Sequence, residues 1–308
     1  MINKVVFFNY YHNGDLHLSR NFVSEVSKIC NTNGISCEYY HKCNPDVLAD
    51  LHYVKHTSNS YSTNDRMPSS VIGDILFINT WYCGRMDVYN LYGVSFKSIY
   101  MIFVDAVKTL GIDIEQMQKL DLFPSIDYNC FDIGQARNWI GENRRKKVFI
   151  ANCRVMSGQS ENFSFSEVIN SISLNDDFDF LISNDEPGIE RRKNVFMTSD
   201  IIKKPGCNLL LRSDSISRPV CDLNENSFLA SNCDLIIGRL SGAYNFAITR
   251  ENYFDNPKTF LCFTNSDENS YLWAKDFVPL VKAKVFGYNT TNQKSIINLI
   301  NEKLDFQS

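Results

Sequence analysis

The sequence predicts an α/β protein built from two parallel-sheet domains. The length of 308 residues suits about two domains of roughly 150 residues each. Apolar runs without polar alternation recur between helical patterns, as expected of strands buried on both faces of a parallel sheet. One unit, an apolar run broken by a glycine turn and followed by a helical pattern, occurs in each half. Lys4–Tyr11 breaks at Asn13-Gly14-Asp15, and Cys233–Ile237 breaks at Gly238-Arg239-Leu240-Ser241-Gly242. Such a turn sets backbone N–H groups at the carboxyl edge of a sheet, where anionic ligands bind. Two Rossmann-like domains facing each other across a cleft follow, spanning residues 1–140 and 141–308. The break falls in the polar, charged segment Asn129–Lys147.

The elements follow in chain order. Val5–Tyr10 reads as a buried strand. Leu18, Phe22, Val26, Ile29 and Cys30 recur at helical spacing, so residues 15–31 form an amphipathic helix that stops before Asn33-Gly34. Cys37–His41 is a second strand, and Pro45–Tyr53 is helical with proline near its start. His56–Ser70, rich in Ser, Asn and Thr, is a loop. Asp74–Thr80 is a third strand, and Ile99–Leu110 a helix closed by Gly111. In the second half, Lys147–Ala151, Phe178–Ser183, Asn194–Thr198, Asn208–Arg212, Cys233–Ile237 and Thr259–Phe263 are strands. Phe165–Ile172, Glu225–Ala230, Ala243–Thr249 and a closing segment with Ile296, Ile297, Ile300 and Leu304 are helices.

Hydrophobic residues make up 44% and charged residues 21%, which fits a globular chain. The net charge of −4 gives no global basic field for nucleic acid. The one basic run, Arg144-Arg145-Lys146-Lys147, is either a solvated lead-in to the next strand or a weak anchor on anionic lipid headgroups. No run of about 20 apolar residues exists to span a membrane. The ten cysteines are scattered with no CxxC pair, so zinc-ribbon spacing is absent and a reducing compartment is expected. With no cleavage-site pattern near Met1, the expected location is cytoplasmic, at most at the inner face of a membrane.

Val5–Asp15 followed by an amphipathic helix resembles the opening of glycosyltransferase family 9, the heptosyltransferase-like enzymes of GT-B fold. Gly14-Asp15 matches the family's Gly-Asp pair, which implies that Asp15 deprotonates an acceptor hydroxyl. Ser231-Asn232-Cys233-Asp234-Leu235-Ile236-Ile237-Gly238, followed by Leu240-Ser241-Gly242, resembles the family's late segment that holds the donor's phosphates. Phe149–Arg154 resembles the strand whose end carries polar and basic phosphate contacts. The chain departs from the pattern at Arg239-Leu240, where the family has Asp-Thr, at Asn245, where a helical His is usual, and at His12-Asn13, where small residues are favoured.

The candidate site residues follow from residue chemistry and this resemblance together. Asp15 either caps its helix or acts as general base. His12 and His17 flank it and could orient it, His17 being the better surface histidine. Arg239, Ser241 and Gly242 offer a guanidinium fork, a hydroxyl and a bare backbone for a departing diphosphate; the rival reading is a structural tight turn. Arg154, Ser157, Gly158 and Gln159 form a polar loop that could reach phosphate or sugar. Gly14, Trp81 and Arg85 are acceptor candidates, because aromatics stack on sugar faces and Arg85 can bind an anionic acceptor. Asp177-Phe178-Asp179 has literal DxD spacing but sits where a strand begins, so no catalytic metal is expected.

These readings predict a metal-independent glycosyltransferase without a cofactor. It takes a nucleotide-sugar donor in the C-terminal domain and a glycan or glycolipid acceptor in the N-terminal one, with no nucleic-acid partner. The alternatives are a nucleotide-sugar epimerase or hydrolase on the same fold, and a non-enzymatic two-lobed ligand-binding protein.

Overall fold

The computed structural model describes residues 1–59, 61, 67–81, 108–111, 123–155, 161–203, 221–239, 241–264 and 282–305. The chain divides into two compact units, the first ending at Ile126 and the second beginning at Asp127.

The first unit holds a five-stranded sheet of order β3-β2-β1-β5-β4. Its strands are β1 (Lys4–Asn9), β2 (Ser36–His41), β3 (Lys55–Thr57), β4 (Ser69–Ile72) and β5 (Ile75–Asn79). β1 runs parallel to both β2 and β5, and β4 closes the edge antiparallel to β5. The central strand β1 is apolar on both faces, as a doubly covered strand must be. Val6 and Phe8 pack with Tyr40 and Phe77, while Phe7 meets Phe22 of helix α1 (Asn13–Thr32) edge to face at 6.3 Å. The expected helix stop at Asn33-Gly34 is present. The Asn33 N–H reaches the Ile29 carbonyl, and Gly34 takes the left-handed φ of 72° that glycine adopts without steric cost. Pro45–Leu48 is a short 3₁₀ turn, capped by Asn44, in place of the longer helix expected there. The expected loop His56–Ser70 carries edge strands β3 and β4 at its two ends. Periodicity misses them because strands of three and four residues are too short to show it.

Arg20 lies on the buried face of α1, fully enclosed, and pairs with Asp50 at 2.8 Å while donating to the Val47 carbonyl at 2.6 Å. This buried pair ties α1 to the 3₁₀ turn. His41, at the end of β2, is also buried, and burial followed by the neighbouring His56 charge pushes its pKa from 6.5 down to about 3. The unfolded chain then takes up this proton first as pH falls. The contribution is complete above 6.5 and is lost below it, so stability should drop by about 2 kcal/mol between pH 6.5 and pH 5. Urea unfolding midpoints at pH 7 and pH 5 measure this, and the slope should flatten in His41→Asn.

The second unit holds a six-stranded, wholly parallel sheet of order β11-β10-β9-β6-β7-β8. Its strands are β6 (Lys146–Ala151), β7 (Phe178–Ile182), β8 (Val195–Met197), β9 (Leu235–Gly238), β10 (Thr259–Thr264) and β11 (Lys284–Asn289). The helices are α2 (Gly134–Glu142), α3 (Ser166–Ile172), α4 (Thr198–Ile202), α5 (Leu223–Ser231), α6 (Gly242–Phe246) and α7 (Gln293–Asp305). Val148, Ile150, Phe180, Ile182, Leu235 and Ile237 meet α3 and α7 in one core with Val168, Ile172, Ile296 and Ile300. Helix α2 is sequence-adjacent to the expected break at 140 but belongs with this unit, with Trp139 edge-on to Phe196 at 4.9 Å. β11 is an additional edge strand, and its half-exposed residues give it no continuous apolar run. The expected helix 99–110 and strand 208–212 lie largely or wholly outside the described residues.

Candidate functional site

In the first unit, β1 and β5 end by the same device. Asn9 and Asn79 are both buried, and each carbonyl side chain accepts from the N–H two residues on, at 2.9 Å for Tyr11 and 3.2 Å for Trp81. Such a turn lets the backbone leave the sheet without orphaning its polar groups. The paired turns bring Tyr11 and Trp81 together, stacked with centroids 4.4 Å apart and planes at 24°. One face of Trp81 is therefore covered by Tyr11, and the aromatic surface at this edge belongs to the pair. Arg85, the other expected acceptor contact beside Gly14, lies outside the described residues.

From Tyr11 the chain enters α1 through His12, whose extended backbone makes it the N-cap. Gly14 is buried in the first helical turn, and Asp15 stands at the third helical position. The His12 N–H donates to Asp15 Oδ2 at 3.1 Å, so the capping reading is correct as far as that oxygen goes. Oδ1 makes no hydrogen bond to any described residue. The carboxyl is half-buried, and desolvation pushes its pKa above the ordinary 3.8 against the opposing pull of the His12 N–H. A carboxylate raised this way is a stronger proton acceptor than a solvated one. His17, expected at the surface, is fully enclosed on the core side of α1.

In the second unit, Gly238 ends β9 because no side chain fits. A Cβ there would stand 2.8 Å from the Ala151 carbonyl oxygen and 2.9 Å from the Ala151 Cβ on the paired strand β6. Arg239 follows, and here the phosphate reading is corrected. Its side chain is buried, with Nε donating to the Cys153 carbonyl at 3.1 Å, Nη2 to Asn152 at 3.0 Å, and Nη1 to Phe163 at 2.6 Å and Glu161 at 3.4 Å. The rings of Phe163 and Phe165 lie 5.0 Å from the guanidinium carbon. Burial lowers its pKa only to about 10, so it stays charged at neutral pH. A guanidinium whose fork is engaged by backbone carbonyls is a structural clamp between the ends of β6 and β9.

Ser241 caps α6, its hydroxyl accepting from the Tyr244 N–H at 3.5 Å. A Cβ added at Gly242 would meet nothing within 4 Å, so the backbone there is open on that side. Arg154, three residues past the end of β6, is exposed; Ser157, Gly158 and Gln159 lie outside the described residues.

A buried polar cluster, unsignalled by the sequence pattern, underlies this edge. The Asn152 side chain accepts from the Asn184 N–H at 2.9 Å and the Ser183 hydroxyl at 3.0 Å, and donates to the Asn184 carbonyl at 2.9 Å. Glu186 accepts from Asn152 Nδ2 and from the Phe165 N–H, both at 3.3 Å. Asp222 and Glu225, at the start of α5, are buried as well. The polar triplet Asn184-Asp185-Glu186 at the end of β7 was the available signal, but nothing in the chain indicates that it faces Asn152, 32 residues away.

Asp177 and Asp179 stand at the amino edge of this sheet. Asp179 is buried beside Arg145 at 3.5 Å, in register with Lys147. Lys147 is buried and donates to the Arg145 carbonyl at 2.8 Å, so within the basic run Arg144, Arg145 and Lys146 are the exposed members. Among the described residues no helix is long and apolar enough to cross a membrane.

No protein-family model and no curated protein matches the chain. Solved structures include similar chains at low identity. The glycosyl transferase family 9 protein of Veillonella parvula is 10% identical, over 97% of this chain and 89% of that one, with a TM-score of 0.40. The Escherichia coli heptosyltransferase WaaC with ADP is 9% identical, over 98% of both chains, with a TM-score of 0.46. Acinetobacter baumannii MurG is 11% identical, over 97% and 90%, with a TM-score of 0.37.

Proposed function

We propose that this chain is a glycosyltransferase of GT-B type, moving a sugar from a nucleotide-sugar to an acceptor hydroxyl. The observation that supports the reading most is Asp15. One oxygen is held by the helix cap, the other makes no bond to a described residue, and burial raises its proton affinity at the carboxyl ends of the parallel strands β1, β2 and β5. In the proposed reaction, Asp15 takes the proton of the acceptor hydroxyl as that oxygen bonds to the anomeric carbon. The bond from the anomeric carbon to the donor phosphate breaks, and the nucleoside diphosphate departs with the electron pair. The Tyr11–Trp81 pair offers an apolar face to the acceptor, a glycan or glycolipid. On the second unit, the Gly242 backbone, the Ser241 hydroxyl and exposed Arg154 receive the departing phosphates. The exposed members of the basic run are the proposed contact with an anionic membrane surface from the cytoplasmic side.

The donor half is tested by calorimetric titration with nucleoside diphosphates. Gly242→Val should weaken binding by about 1.5–3 kcal/mol by crowding the open backbone; the Cβ it adds meets nothing within 4 Å, and circular dichroism checks that folding stays intact. Unchanged affinity across ADP, UDP and GDP in this variant would move the donor site elsewhere.

The proposed reaction uses no cation. Turnover measured as release of nucleoside diphosphate should therefore persist in EDTA at the rate seen without it. Activity restored only by Mg²⁺ or Mn²⁺ would defeat this part of the proposal.

A further inference from the structure

A chain of buried polar side chains links the start of α1 to the ends of β1 and β5. In the second turn of α1, the Ser19 hydroxyl donates to the Leu16 carbonyl at 3.0 Å and lies 3.2 Å from the Tyr39 hydroxyl of β2. The Tyr39 hydroxyl lies 2.5 Å from that of Thr80, the residue after β5. Thr80 in turn donates to the Phe8 carbonyl at 3.3 Å and accepts from Asn9 Nδ2 at 3.4 Å. Ser19, Tyr39, Thr80 and Asn9 are each at most 1% exposed.

Each hydroxyl has one proton to give. That of Thr80 goes to the Phe8 carbonyl, so Tyr39 donates to Thr80 and its oxygen is left to accept from Ser19. Ser19 shares its proton between Tyr39 and the Leu16 carbonyl, a three-centre bond. Tyr39 is thus the bridge, touching both Ser19 and Thr80. The two ends of the chain reach the two parts of the proposed acceptor site. Leu16 follows Asp15 in α1, and Thr80 precedes Trp81. Asn9 Oδ1 holds the Tyr11 N–H at 2.9 Å.

We propose that Tyr39 is a positioning residue, its hydroxyl fixing the turn that carries Asp15 against the Tyr11–Trp81 pair. The inference rests on Asp15 acting as the base. A general base works only within hydrogen-bond reach of the proton it takes, and a misplacement of about 1 Å can cost ~10²-fold in rate. Apolar contacts such as Phe7 on Phe22 hold α1 to the sheet without direction, whereas a fully satisfied buried hydrogen-bond network fixes one arrangement.

The test compares Tyr39→Phe and Thr80→Val, which each remove a buried hydroxyl, with Thr80→Ser, which keeps one. Turnover is read as nucleoside diphosphate released from an ADP-, UDP- or GDP-hexose with a methyl hexoside as acceptor. Tyr39→Phe and Thr80→Val should each lower kcat about tenfold. Thr80→Ser should stay within about twofold of the parent, because its hydroxyl still accepts from Tyr39. Added to Asp15→Asn, Tyr39→Phe should cost less than about twofold more, since no base is left to position. A full tenfold loss in that background would show that the hydroxyl acts through the fold alone and overturn the proposal. So would a parent-like kcat in a folded Tyr39→Phe while Asp15→Asn is impaired. Parent-like turnover in Asp15→Asn is a different failure, that of the base itself, and removes what Tyr39 is proposed to position. If Tyr39→Phe does not fold, Thr80→Val decides by the same comparison. A second reading needs no substrate: ¹⁵N relaxation order parameters at the Tyr11, Asp15 and Trp81 amides should fall below about 0.6 in Tyr39→Phe. Unchanged values at all three overturn the proposal.

Discussion

Arg239→Met is expected to destabilise the second unit by about 3–5 kcal/mol and to lower its melting temperature by roughly 10 °C. The guanidinium bonds the carbonyls of Asn152, Cys153, Glu161 and Phe163 in a buried setting. Methionine matches the length of the stem but donates nothing, so those carbonyls lose a charged donor where water has poor access. The two Phe faces at 5.0 Å lose a cation as well. Arg239→Lys should recover only a small part, because a single ammonium does not reproduce the fork of Nε, Nη1 and Nη2. Differential scanning calorimetry and urea unfolding measure the effect. If Arg239→Met unfolds at the parent midpoint yet loses nucleoside diphosphate affinity, the clamp assignment is wrong and the residue returns to the donor site.

Asp15→Asn is expected to cut turnover by roughly 10²–10⁴-fold while leaving the fold intact. The amide oxygen of asparagine can still accept from the His12 N–H, so the cap that starts α1 survives. The proton acceptor does not. The pH profile separates this from a structural defect. Because burial raises the Asp15 pKa above 3.8, the acid limb of the parent's pH profile should lie above that ordinary value. That acid limb should vanish from the residual activity of the variant. Parent-like turnover in Asp15→Asn would leave Asp15 as a cap alone. If its unfolding midpoint falls with turnover, the loss reflects the helix start and not the chemistry.

Particular residues show how far the chain reads directly. The apolar runs at Val5–Phe8, Val148–Ala151 and Leu235–Ile237 are the central strands of the two sheets, because a strand covered on both faces has no polar register to disguise it. Asn33-Gly34 marks the end of α1 because only glycine takes a φ of 72° at low cost. The edge strands β3, β4 and β11 escape, being short or half-exposed.

The sequence by itself determined the local terms: two mostly parallel α/β units, the strand-to-helix order at β1–α1 and β9–α6, and the placement of Asp15 at a helix start; the turn after β1 is made by Asn9, with Gly14 already helical. These depend on neighbours a few residues apart, where periodicity and backbone sterics suffice. Only the tertiary structure decided what each polar side chain does. It closed Arg239 onto carbonyls up to 87 residues away, enclosed Arg20 with Asp50, drew Asn152 into the Asn184–Glu186 cluster and stacked Trp81 on Tyr11. A long polar side chain at a strand end has the same propensity whether it meets solvent, ligand or backbone. Its partner is fixed by which strands lie side by side, and that order is a property of the whole sheet.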